Sequence, residues 1–256
     1  MTMFWYAYRS YVAVGGLLLT LFLYAMLLTA HGMERPQFVL DQASASVQHV
    51  NSRPWRTASD FLAGRKYMVL TFDDGPYGYG LDEQILDILR KHHARAVFFL
   101  VCSHINEANR DVLGKFERAG NLIGNHSYDH LKLDTLAQPE LEQQIGGCSK
   151  RLAELTGRHP YYFRAPFGAT SPLVAKVAQS YGMKQMLWNA NSQDSWVTKP
   201  EQILQWSTEQ PEDQSILLLH ERPTTVAVLD QMLTQLEQRG FQFVLPDQLS
   251  DSSEIN

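Results

Sequence analysis

The chain has 256 residues, 45% of them hydrophobic and 19% charged, with a formal net charge of -5. These fractions belong to a globular protein with one sizeable domain, and without any Lys/Arg cluster they exclude a nucleic-acid phosphate backbone as partner. Two cysteines, Cys102 and Cys148, fit neither a CxxC metal pattern nor a disulfide-dense scaffold; buried free thiols are the expectation, and a single bridge requires an oxidising compartment.

Residues 1–10 read as a short cytoplasmic N-terminus. Tyr11 to Ala30 carry no charge and are about long enough to span a bilayer. Leu28 stands where a signal-peptide cleavage site wants a small residue, so the span reads as an uncleaved single-pass anchor in the cytoplasmic membrane. Arg9, the one charge before it, places the rest of the chain outside the cytoplasm. Residues 31–60 lose apolar periodicity and carry Pro36 and Pro54, which predicts a tether, with Trp55 and Phe61 marking where it docks. The folded domain is expected over 61–250, followed by a tail at 251–256.

Within the domain, short β-prone runs alternate with segments of helical period. The predicted strands are Tyr67 to Phe72, Ala96 to Val101, Asn121 to Gly124, Tyr161 to Ala165, Lys184 to Asn189, Ser215 to His220 and Phe241 to Leu245. The predicted helices are Leu81 to His92, Arg110 to Arg118, Pro139 to Leu155, Ser171 to Tyr181, Pro200 to Glu209 and Thr225 to Arg239, with Gly120, Gly182 and Gly240 as left-handed caps. The alternation specifies an α/β fold of about seven parallel strands, covered on both faces or closed into a barrel.

Working groups of such folds collect at the carboxyl ends of strands. The first strand ends in Asp73 and Asp74 before Gly75 and Pro76. Adjacent carboxylates there need a cation or a proton, unless they form an ordinary surface turn. The third strand is followed by His126 and His130, four apart and so expected on one face of a helical turn. Two histidines and one carboxylate leave open positions for water and substrate, as catalytic zinc sites do. Arg164, Phe167, Asp194, Trp196 and His220 fall at later strand ends. His31, His92, His93, His104 and His159 show no partner pattern and read as surface residues.

Thr71-Phe-Asp-Asp-Gly75, His126-Ser-x-x-His130, Arg164-x-Pro-Phe-Gly168, Asp194 with Trp196, and Leu217-x-Leu-His220 occur in that order. This set resembles the motifs of the polysaccharide deacetylases of carbohydrate esterase family 4. The resemblance implies a distorted (β/α) barrel and a divalent metal, zinc first, on Asp74, His126 and His130. It makes Asp73 the general base and His220 the general acid; the residues themselves offer Arg164 as the cation to keep Asp73 ionised and Asp194 as the carboxylate to favour protonated His220. It assigns the Phe167 N–H to the oxyanion, and Trp196 and Leu218 to the slot for the acetyl methyl. The implied activity is removal of N-acetyl groups from peptidoglycan, chitin-like or related amino-sugar polymers; O-acetyl xylan esters, a linear amide, or glycan binding without catalysis are the rival readings. The fourth motif departs from the family: Asn191 stands where an Asp is usual and Ser195 separates Asp194 from Trp196. If the missing carboxylate supports Arg164, activity is expected to be lowered with the metal and base residues intact. Glu221 also replaces a more common Asp after His220.

Overall fold

The computed structural model describes residues 64–249. The expected anchor at 11–30, the tether at 31–60, its docking residues Trp55 and Phe61, and the tail at 251–256 lie outside these residues. Among the described residues no helix is long and apolar enough to cross a membrane.

The central strand is β1 (Lys66–Gly75), whose residues from Met68 to Phe72 are fully buried. It runs parallel to β2 (Ala96–Leu100) on one side and β7 (Ser215–His220) on the other. Alternation along β1 divides its side chains between two layers. Met68, Leu70 and Phe72 pack with Ile85 and Leu89 of α1 (Leu81–Lys91) and Leu229 and Leu233 of α7 (Pro223–Gln238). Val69 packs with Val97, Phe99 and Ile216 on the inner face. Phe72, Phe98 and Phe116 stack in series at 5.2 and 4.0 Å, and each such ring contributes about 1.5–3 kcal/mol by leaving water. Thr71 and Asp73 follow Val69 onto the inner face, so the alternation that builds the core also carries polar groups into the barrel.

Further out come β3 (Leu122–Asn125), β4 (Tyr162–Phe163), β5 (Lys184–Gln185) and β6 (Ala190–Asn191), giving the order β5-β4-β3-β2-β1-β7-β6 with every pairing parallel. The short β8 (Phe241–Phe243) pairs with the first residues of β1. The remaining helices are α2 (Asp111–Arg118), α3 (Gln138–Leu141), α4 (Gly147–Thr156), α5 (Pro172–Ser180) and α6 (Pro200–Glu209). Gly120, Gly182 and Gly240 do adopt positive φ, as expected of caps. A π-helical turn, Glu142–Gly146, joins α3 to α4 and breaks the single helix expected there; a side chain at Gly146 would overlap the Tyr181 ring.

The fifth predicted strand requires correction. Lys184–Gln185 lies at one end of the sheet and Ala190–Asn191 at the other, so residues 186–189 cross a seam and the fold is a half-barrel rather than a closed ladder. Carbonyls at such a seam still need donors. Arg164, fully buried, supplies them: Nε donates to Met186 O and Nη2 to Leu187 O, both at 3.0 Å.

The expectation of free thiols is overturned. Cys102, just after β2, and Cys148, in α4, form a disulfide. The fold brings their Cα atoms to 5.4 Å across a 46-residue separation that carried no pairing signal.

Candidate active site

All ten residues singled out from the sequence lie at the carboxyl edge of the sheet or feed into it. Asp73, Asp74, His126, His130, Phe167, Trp196, Leu218 and His220 line one cavity of about 310 Å³, together with Trp188, Asn191, Ser195 and Arg222. Arg164 and Asp194 sit beneath it, bonded to Asp73 and His220.

Two consecutive residues of a regular strand point to opposite faces. Asp73 and Asp74 nevertheless reach the same cavity, because the β1–β2 register shifts between Asp73 and Gly75 and Asp74 adopts φ 73. A bulge of this kind re-aims a side chain. Left-handed backbone is uncommon outside glycine and clusters at functional sites; Phe167 and His130, at φ 61 and 57, share it.

The helical turn expected for His126 and His130 is absent. Residues 126–130 form a bend with Ser127 and His130 at positive φ, and the rings meet at 5.0 Å between centroids. Side chains replace a helical ladder here: Asn125 Oδ1 accepts from Ser127 N at 2.8 Å and Ser127 Oγ accepts from His130 N at 3.1 Å. The π-helical turn braces the bend from behind, since Asn125 Nδ2 donates to Ile145 O and the Gln144 amide bonds both the backbone N–H and the carboxylate of Asp129.

His126 Nδ1 lies 2.8 Å from Arg164 O, a carbonyl that can only accept, so Nδ1 carries the hydrogen and Nε2 presents a lone pair in the neutral ring. Burial pushes His126 below its ordinary value, against the pull of Asp73 and Asp74, which favours that neutral ring. Nε2 then faces Asp73 Oδ2 and Asp74 Oδ1, each at 3.6 Å, while His130 Nε2 lies 3.1 Å from the same Asp74 oxygen. Asp74 Oδ1 is buried without a hydrogen bond. A lone pair aimed at carboxylate oxygens is repulsive unless a cation lies between them, so the residues present fit a divalent ion. Asp74, His126 and His130 offer one ligand atom each, all within 4.8 Å of one another. Burial raises the Asp74 carboxyl, but its close pairing with His130 and the charge of His220 outweigh it and hold it below the usual carboxylate range.

Beside this trio, Arg164 Nη1 donates to Asp73 Oδ1 and to Thr71 Oγ1, both at 2.7 Å. The guanidinium stacks 4.3 Å from the Phe99 centroid. Four of its five N–H donors are thus engaged, and none of these bonds goes to residue 191. Asn191 instead accepts from Gln193 N and stabilises the turn leading to Asp194.

Asp194 Oδ1 lies 2.6 Å from His220 Nδ1, and Oδ2 accepts from His220 N and Thr225 Oγ1. Burial lowers His220, yet the bond to Asp194 and the charges of Asp194, Asp73 and Asp74 raise it above its ordinary value. Phe167 is 67% exposed and meets His130 edge-on at 4.7 Å; its N–H has no protein acceptor among the described residues.

Several side chains that support the site had no role legible in the motifs. Thr71, which opens the first motif without a role of its own there, and Asn125, the last residue of β3, are buried polar side chains that position Arg164 and the histidine bend. Trp188 walls the cavity from the seam. His104, read as a surface residue without a partner, bonds Asp74 O through Nδ1 at 2.8 Å. His92, read likewise, is a nearly buried ring paired with Asp230 and Glu237. Both partners are remote in sequence, so no local pattern announced them.

Fold and site together define an open parallel β/α half-barrel with a candidate three-ligand metal site at its carboxyl edge. The polysaccharide deacetylase family profile matches residues 63–186. A chitooligosaccharide deacetylase of Azorhizobium caulinodans is 30% identical over 200 residues, covering 72% of this chain and 94% of that protein. The peptidoglycan-N-acetylglucosamine deacetylase PgdA of Listeria monocytogenes is 33% identical over 192 residues; the match takes in 72% of this chain but spans 39% of the Listeria protein's length. A solved carbohydrate esterase family 4 pseudoenzyme of Bacillus anthracis superimposes with a TM-score of 0.66 at 28% identity, covering 70% of this chain and 63% of that one. The chain belongs to the polysaccharide deacetylase family, carbohydrate esterase family 4.

Proposed function

We propose that this chain hydrolyses N-acetyl groups of an amino-sugar glycan, using a divalent ion, zinc by preference, held by Asp74, His126 and His130. The relatives' substrates support the glycan class. Because a pseudoenzyme shares the fold, likeness alone does not carry activity; the residues must. The observation that carries it is the His126 Nε2 lone pair turned toward two carboxylates, only one of which is needed as a ligand. That leaves Asp73 free for proton transfer.

When bound, the ion supplies Lewis acidity to the scissile carbonyl and acidifies a water. Asp73 accepts the proton of the attacking water, held in place by Arg164. The Phe167 N–H donates to the carbonyl oxygen as charge builds on it. His220, protonated with the help of Asp194, gives a proton to the departing amine nitrogen. Leu218, Trp188 and Trp196 wall the slot for the methyl group. A location outside the cytoplasm is part of the proposal; the disulfide and the uncharged run at 11–30 support it.

The test is acetate release from chitin oligomers, peptidoglycan and acetylxylan in parallel, with and without a chelator. Chelator-sensitive release from either amino-sugar polymer is expected. Release from acetylxylan alone, or undiminished release with chelator, overturns the reading.

A further inference from the structure

A second cavity, of about 570 Å³, adjoins the first and runs past Tyr77, His104, Thr198 and Thr224; Asp74, Ser195 and Arg222 wall both. Arg222 is the one Lys or Arg among the described residues lining either cavity. Its side chain is 42% exposed, and its Nη2 lies 3.9 Å from Asp74 Oδ2, its sole ion-pair partner among the described residues. That contact is loose, too long for a good hydrogen bond. If Asp74 is a metal ligand, its charge is already spoken for, and the guanidinium faces the junction of the two cavities without an anion of its own.

We infer that Arg222 is a specificity-determining residue that selects N-acetylated sugars whose ring carbon next to the acetamido-bearing one carries a carboxylate-ended ether substituent. The inference rests on the proposed deacetylase reading and names its substrate class. An acetamido group presented to Asp74, His126 and His130 places a substituent of the adjacent carbon a few ångströms away, on the scale of the separation between Arg222 and Asp74. A guanidinium binds a carboxylate through two parallel N–H bonds, which adds orientation to charge. Tyr77, 47% exposed on the second cavity, offers an apolar face to a neighbouring sugar ring. The surroundings leave that role to Arg222: Asp73 is paired with Arg164 and Asp194 with His220, so no other Lys or Arg lining the junction is offered to a substrate carboxylate.

The test compares the zinc-loaded full chain on neutral chitotetraose and on peptide-free glycan strands alternating N-acetylglucosamine with N-acetylmuramic acid. Wild type is expected to show the lower KM on the acidic strands and to deacetylate their muramic residues. Arg222→Gln should raise that KM about tenfold, with a much smaller change in kcat and in the KM for chitotetraose, and Arg222→Lys should recover part of the loss. Equal KM losses on both substrates, or wild-type indifference to the carboxylate, overturn the inference while leaving the deacetylase reading intact. If wild type releases acetate from neither, the deacetylase reading fails. In either case NMR titration of the metal-free protein decides on Arg222 independently: N-acetylmuramic acid should bind more tightly than N-acetylglucosamine to wild type and lose that advantage in Arg222→Gln, and equal binding in wild type counts against it.

Discussion

Asp194 holds His220 at two points: Oδ1 lies 2.6 Å from the ring Nδ1, and Oδ2 accepts the residue's own backbone N–H at 2.7 Å. The first bond fixes which ring nitrogen bears the mobile proton, and the second fixes the height of the ring above the sheet. Because the Nδ1 hydrogen is committed to Asp194, Nε2 is the nitrogen left to exchange a proton.

Asp194→Asn should therefore change the pH profile as well as the rate. Burial alone lowers His220, and the bond to Asp194 and its charge lead the contributions that raise it, ahead of Asp73 and Asp74. Without the Asp194 contribution His220 loses its proton at lower pH, so the alkaline limb of kcat/KM moves down the pH scale. Turnover at neutral pH should fall about 10²-fold, within the range for loss of general acid catalysis. A profile of unchanged shape would show that His220 is not the titrating acid.

The two adjacent aspartates should separate by metal content. Asp73→Asn is expected to keep its zinc and lose turnover by about 10²–10⁴-fold. Asp74→Asn should lose zinc affinity first. Elemental analysis after dialysis, paired with acetate release, distinguishes them; full activity of the Asp73 variant would remove the base from the mechanism.

Arg164→Lys is not conservative in this setting. Lysine has one nitrogen for four acceptors: Asp73, Thr71 and the seam carbonyls of Met186 and Leu187. Breaking a buried pair typically costs about 3–5 kcal/mol. Denaturant titration should show a loss of that order, and cavity-wall fluorescence from Trp188 should shift with it. A variant as stable as wild type would mean that water already serves the seam.

Glu221 and Asp82 offer a stability test at the rim of the second cavity. Both are buried, and both accept the Tyr77 N–H, at 3.1 and 3.2 Å. Burial, with Asp82 as neighbour, pushes the Glu221 carboxyl well above its ordinary value. The folded state thus keeps a proton that the unfolded chain has released, and stability falls as pH rises from the usual carboxylate range through the raised value. Glu221→Gln removes that proton requirement. The variant should gain about 1 kcal/mol over wild type near pH 8 and lose the advantage near pH 4, on the scale of one unsatisfied buried group. A difference independent of pH would exclude the shared proton.

The Cys102–Cys148 bridge closes a loop across 46 residues of sequence separation. Its reduction should lower stability by about 2–4 kcal/mol. Thiol titration in denaturant should find no free thiol before reductant and two afterwards; two at the outset would return the cysteines to the unpaired state expected from sequence.

Much of this was legible in the chain itself. The continuous apolar run through Val69 and Leu70 and the helical spacing at Ile85 and Leu89 follow from where apolar side chains must go, so strand and helix positions emerge from local pattern. The order of the five motifs marked Asp73, Asp74, His126, His130, Arg164 and His220 for the same reason: parallel β/α units bring strand ends to one edge. What the pattern could not contain were relationships across the fold. Asp73 and Asp74 share a cavity through a bulge at φ 73, against strict alternation. His126 and His130 converge through a bend braced by a π-helical turn, not through a helix. The seam filled by Arg164, the disulfide, and the meeting of Arg222 with Asp74 join residues that are distant in sequence. Local preference is set by each residue and its near neighbours, whereas these contacts exist only once the sheet has curled and brought remote backbone together.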